Sequence, residues 1–171
     1  VRGKRYYMKK YVNRRTNEYK NYSEKNVSNY SSLDIIAITL LRIAWSRKRD
    51  IFNTQNAVNY DCVAVCLVNG ELWLASNNIK ITDEDINVLL ECMNNDGLPY
   101  NGNVWTVTNG SGHMHAEMQL VSQLKQENLM TDFIGVSKPC CKQCAEVLDH
   151  VHIGYSMWHD SPVVNWENPL L

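Results

Sequence analysis

Two short segments of the 171-residue chain hold the side chains best suited to chemistry: His115-Ala116-Glu117 and Pro139-Cys140-Cys141-Lys142-Gln143-Cys144. Two cysteines with two residues between them, at the start of a helix, can aim both sulfurs at one ion. The positive end of the helix dipole favours their thiolate form. Two thiolates and one imidazole are a donor set for zinc. His115, Cys141 and Cys144 are therefore the candidate ligands. Three protein ligands leave the fourth tetrahedral position for water, and an open position separates catalytic from structural sites. Glu117, two residues from His115, is near the metal yet free to carry protons. Other readings stand beside this one. Cys140 in place of Cys141 is an alternative first cysteine ligand. His113 or Cys140 as a fourth ligand would close the site into a structural one, leaving Glu117 without a task. A nucleophilic cysteine paired with His115 is a further alternative. The His-Glu-x-x-His pattern of zinc proteases is absent, and His150, His152 and His159 are expected at the surface or in packing.

The pattern H-x-E followed by P-C-x-x-C is that of zinc deaminases, in which the Glu is the general acid/base and not a ligand. The chain resembles the cytidine deaminase-like superfamily in His115-Ala116-Glu117 and in Ser137-Lys138-Pro139-Cys140-Cys141-Lys142-Gln143-Cys144. Within it, Ser-Lys-Pro ahead of the cysteines is similar to the deaminase domains of bacterial polymorphic toxins. The resemblance covers roughly residues 33–166, and its specific motifs only about a dozen of them. It departs at one point: the family places Pro directly before the first ligand Cys, and here Cys140 intervenes. The two-residue spacing carries the ligand roles to Cys141 and Cys144. The resemblance also implies an Asn at the end of the second hairpin strand that touches base or sugar, which singles out Asn77. It implies a zinc-dependent hydrolytic deaminase of a nucleobase, acting as a toxin domain delivered into the cytoplasm of a target cell. An immunity protein would then cover the site.

Elements must bring the two segments together. Ser31 and Ser32 read as N-caps, and Asp34 as an acid at the positive end of a helix over residues 31–49. That helix is apolar on most of its surface and should be buried. Residues 61–77 read as a β-hairpin turning at Asn69-Gly70. A helix over 83–93 is capped by Thr82 and stopped by Asn94-Asn95-Asp96-Gly97. Residues 98–112 are loop-like, with 104–107 able to pair briefly. Helices over 114–125 and from the cysteines to about 151 flank a short buried strand, 133–136. Residues 155–158 and 163–166 read as two last strands joined by Asp160-Ser161-Pro162. This order predicts an α/β chain with a mixed central sheet, helices on its faces and a C-terminal strand pair. The resemblance makes it the three-layer α/β/α cytidine deaminase-like fold.

Composition narrows the setting. The chain is long enough for one domain with a real core, and an apolar fraction of 44% with five Trp argues against disorder. No run of eighteen apolar residues suggests a membrane span. Residues 33–45 precede Ser-Arg-Lys-Arg-Asp rather than a small-residue cleavage site, so they do not read as a signal peptide. The chain begins with Val1, as expected of a piece of a longer protein. Three of six cysteines fall within five residues, which fits metal ligation better than a disulfide framework. Cys62 and Cys66 read as small apolar strand residues.

Residues 1–30 form a basic, Tyr-rich segment ahead of a deaminase domain over 31–171. Residues 1–50 hold 13 Lys and Arg against 4 acidic residues, a net of +9; the remainder holds 4 against 14, a net of −10. Such asymmetry suggests a basic face for a polyanion, a dock for an acidic protein, or two halves that pair with each other. Three functions compete. One is an editor of cytosine in single-stranded DNA or RNA, favoured by Tyr6, Tyr7, Tyr11 and Tyr19 among Arg5, Lys9, Lys10, Arg14, Arg15 and Lys20. Another is a deaminase of free nucleosides or nucleotides, favoured by the acidic remainder. The third is an inactive, zinc-stabilised binding module.

Overall fold

The computed structural model describes residues 27–48, 61–93, 98–161 and 163–171. The Tyr-rich basic cluster with Arg14 and Arg15, the stop signal at 94–97, and Pro162 lie outside the described residues.

The hairpin forms the centre. Strands β1 (Cys62–Val68) and β2 (Glu71–Asn77) pair antiparallel, with Val68 opposite Glu71. Between them Asn69 and Gly70 both take positive φ, 51° and 81°. Two successive left-handed residues match the twist of the flanking strands, which is why Asn-Gly marks such turns. A short strand, β3 (Val104–Thr106), adds parallel to β2, and β4 (Ile134–Val136) adds antiparallel to β1. The sheet order is β3-β2-β1-β4.

Strand alternation divides the core in two. Ala64, Cys66, Trp73 and Ala75 face a layer containing Met118, Leu120, Leu124 and Leu148. Val63, Val65, Leu72 and Leu74 face the opposite layer, with Leu33, Ala37, Leu40 and Leu89. Side chains that alternate across a strand bury both faces at once. Helices α1 (Val27–Lys48) and α2 (Asp83–Cys92) cover one face; α3 (Ala116–Glu127) and α4 (Lys142–His150) cover the other. The three-layer α/β/α architecture is therefore the one expected. Helix α2 is closed by a capping box, as Thr82 promised: its hydroxyl accepts the Asp85 N–H at 3.2 Å and the Asp85 carboxylate accepts the Thr82 N–H at 3.0 Å.

Helix α1 differs from expectation. It starts at Val27, so Ser31 and Ser32 lie inside it rather than capping it. Asp34 is buried mid-helix and serves a tertiary contact rather than the helix dipole. Its carboxylate accepts the Val136 N–H at 2.9 Å and the Ser156 hydroxyl. Gly135 lets the helix come this close. A Cβ there would lie 2.3 Å from the Leu33 carbonyl carbon and 2.5 Å from the Asp34 nitrogen.

The small strand pair also has different partners. Strand β5 (Cys140–Cys141) pairs parallel with β6 (Trp158–His159), while residues 163–166 form no strand. Val163 and Trp166 instead pack on the core layer that holds α3 and α4. No described helix is long and apolar enough to cross a membrane.

Candidate metal centre and active site

Two helix N-termini converge on the site. His115 is the N-cap of α3 (φ −61°, ψ 151°) and Cys141 the N-cap of α4 (φ −70°, ψ 163°). An N-cap residue is extended while its carbonyl already joins the helix, so its side chain stands ahead of the first turn. His115 Nδ1 lies 3.3 Å from Cys144 Sγ and 3.7 Å from Cys141 Sγ. The three donor atoms all lie within 4.8 Å of one another. Cys141 Sγ also accepts the Cys144 N–H at 3.4 Å, the local bond that folds a C-x-x-C turn around one point. Cys144 and Cys141 are buried and His115 is half-buried. Buried soft donors gathered this tightly fit a zinc ion, and a cluster of three leaves a position open. Cys140 points into the apolar core, and His113 is exposed on the cavity wall; neither joins the ligand cluster.

The protein groups already arrange the charges. The Cys141 thiol is held down to about 4, first by the hydrogen bond with Cys144 and next, against burial, by that with His115. Burial, then Cys141, pushes Cys144 well above its usual value, so the pair shares one proton. Burial works to lower His115, but Cys141 and the charge of Glu117 outweigh it and raise it. A metal replaces these protons when thiolates and imidazole ligate it.

Glu117 stands in the first turn of α3, only 3% exposed, on the wall of a cavity of about 430 Å³. Its Oε2 is buried without a hydrogen-bond partner. Burial raises its pKa, opposed by the His115 charge. A buried carboxyl oxygen left unpaired is costly unless a ligand or water meets it. Asn77, at the end of β2 opposite Cys62, lines the same cavity, as do Asn78, Lys138, His159 and Asn165. His159 is thus a wall residue, its Nδ1 accepting the Ser161 N–H at 3.2 Å. His150 and His152 are exposed.

Several residues that shape the site escaped the sequence reading. Gln119 is buried, and its amide donates to Ser76 O at 2.9 Å and Met114 O at 3.0 Å. It ties the end of β2, next to Asn77, to the turn before His115. Its one sequence signal is a polar residue among Met118, Leu120 and Val121 on a core-facing helix. Asp61 holds both Trp45 Nε1 (2.8 Å) and Asn78 Nδ2 (2.6 Å), anchoring α1 to the cavity rim. Trp166 Nε1 donates to Cys144 Sγ at 3.2 Å, a contact no local pattern announces.

Residues 114–170, a third of the chain, match the family model of the OTT_1508-like deaminases, a deaminase family of the cytidine deaminase-like kind. The matched segment holds His115, Glu117, Cys141 and Cys144, so the resemblance drawn from the motifs holds where the chemistry sits. No curated protein and no solved structure matches the chain at a significant level.

Proposed function

We propose that this deaminase is a zinc-dependent hydrolase of a nucleobase amine, most simply of cytosine in single-stranded nucleic acid. The observation that carries the proposal is Glu117. Its buried Oε2 is unpartnered, and the residue lines a cavity beside three side chains suited to zinc. Zinc, when bound by His115, Cys141 and Cys144, supplies Lewis acidity that makes water a nucleophile at neutral pH.

The remaining work belongs to the chain. Glu117 receives a proton from the attacking water at its carboxylate and passes it to the departing amino nitrogen. The water oxygen forms a bond to C4 of cytosine as the C4–N3 double bond opens. The exocyclic C4–N bond breaks, ammonia leaves with one proton of the water, and the other proton ends on N3 of the uracil product; the same balance holds at C6 and N1 of adenine. A raised pKa suits a group that must both take and give a proton near neutrality. Asn77, on the wall of the same cavity, orients the base or sugar by hydrogen bonding in this reading. Glu117 is itself only 3% exposed, which limits the access of bulk water to the acid.

A second substrate, the free nucleoside or nucleotide, is favoured by the cavity wall. Among the described residues its one Lys or Arg is Lys138, rather than a basic groove. The Ser137-Lys138-Pro139 lead-in supports a role as a toxin domain, working in the cytoplasm of a target cell and blocked by an immunity protein. The deciding experiment compares the parent with Glu117→Ala, measuring zinc content and ammonia release on single-stranded DNA, RNA and free nucleosides. The parent should carry one zinc and deaminate one substrate class. The variant should keep zinc and lose about a hundred- to ten-thousand-fold in turnover. Near-normal turnover in the variant would remove Glu117 from the mechanism. A zinc-loaded parent inactive on every substrate would favour a binding module.

A further inference from the structure

The C-terminal segment crosses both ligand-bearing stretches with two adjacent residues. Val163, Val164 and Asn165 form part of the cavity wall, and Asn165 turns the chain with a left-handed φ of 58°. The next residue, Trp166, is half-buried and directs its indole N–H at Cys144 Sγ, 3.2 Å away. Glu167 then grips the other stretch. Its two carboxylate oxygens accept the Ser111 N–H at 3.2 and 3.1 Å, and Oε2 also accepts the Ser111 hydroxyl. Ser111 lies four residues before His115. Gly110 makes room for this grip: a Cβ there would lie 2.9 Å from Glu167 Oε1 and 2.7 Å from Met114 Cβ. Farther along, Leu170 O accepts Lys125 Nζ at 2.8 Å, fixing the segment to the end of α3.

The geometry points to Trp166 as a positioning residue of the metal centre, with Glu167 as its companion clamp on the His115 loop. This rests on the zinc reading above. Cys144 is wholly buried. A thiolate there requires donors, because charge out of water must be met by hydrogen bonds. An indole N–H fixed on the sulfur supplies one and orients the sulfur. It also draws electron density from the sulfur, leaving a bound metal more electron-poor. Groups that hold metal ligands in this way matter nearly as much as the ligands.

Zinc affinity is measured by chelator competition on the parent, Trp166→Phe and Glu167→Ala. The same proteins are loaded with cobalt, and the sulfur-to-cobalt charge-transfer band is recorded. Trp166→Phe keeps most of the ring packing and removes the N–H. It should bind zinc about ten- to a hundred-fold more weakly, with its cobalt band at lower energy. Glu167→Ala should weaken zinc binding while leaving the band in place. Parent-like affinity and band in Trp166→Phe would overturn the proposal and leave the deaminase reading intact. Equal band shifts in both variants would overturn it too, since the band would then report general loosening. A parent that binds no zinc sinks both readings. Should Trp166→Phe fail to fold, the parent decides. Loaded with NMR-active cadmium, its Trp166 indole proton should couple to the metal through Cys144 Sγ; no coupling would refute the contact.

Discussion

Asp34 offers the sharpest test of the fold, because two opposing effects meet on one carboxyl. Burial raises its pKa from 3.8 to about 7, against the hydrogen bonds from Ser156 and the Val136 N–H that stabilise the charged form. In the unfolded chain it titrates near 3.8. Between pH 3.8 and about 7, then, the folded protein holds a proton that the unfolded chain has lost. Raising the pH strips that proton from the folded state, so stability falls across this window and levels off above it. The window from 3.8 to about 7, at about 1.4 kcal/mol for each step of one in pH, corresponds to about 4 kcal/mol. Asp34→Asn removes the titration with little change of shape. Its amide oxygen can still accept the Val136 N–H, and its NH2 can donate to the Ser156 oxygen. Urea unfolding of parent and variant from pH 4 to 8 isolates the effect, because other groups titrate alike in both. The variant should gain on the parent by up to about 4 kcal/mol as pH rises. A constant difference, or one that favours the parent at high pH, would refute the reasoning. Either would mean that the two donors outweigh burial and keep Asp34 ionised.

The ligand assignment predicts that Cys141→Ala or Cys144→Ala loses zinc and folds poorly, since metal binding and folding are coupled. Cys140→Ser should keep its zinc; metal analysis showing the reverse would exchange the cysteine roles. Gly135→Ala forces α1 off β4 by backbone overlap and should cost about 1–3 kcal/mol or more, read as a lowered urea midpoint. An unchanged midpoint would mean that the close approach is not required. Arg14 and Arg15 changed together to Glu should weaken single-strand binding most at low salt and flatten its salt dependence. Identical salt slopes would assign the basic segment another role and favour a free nucleotide as substrate.

Local physics made much of this protein readable from its residues. The Asn69-Gly70 turn sets the hairpin because those two residue types accept left-handed φ. The alternation of Val63, Val65, Leu72 and Leu74 with Ala64, Cys66, Trp73 and Ala75 announces a sheet covered on both faces. Thr82 marks the start of α2. The two-residue spacing of Cys141 and Cys144 brings their sulfurs to one point through a bond within four residues. Tertiary structure decided what depends on distant chain. Ser31 and Ser32 look like caps by type, yet the apolar helix runs back to Val27. Asp34 looks like a helix-start acid, but Gly135, 101 positions away, draws α1 onto β4 and turns the carboxyl to Val136 and Ser156. Residues 158–159 pair with the cysteine segment rather than with their own neighbours. Trp166 reaches Cys144, and Glu167 reaches Ser111, across 22 and 56 positions. Periodicity and residue type report forces between near neighbours along the chain. Which side chain meets a buried sulfur, or a buried carboxyl, depends on how the layers close, and that is set only when the whole core packs.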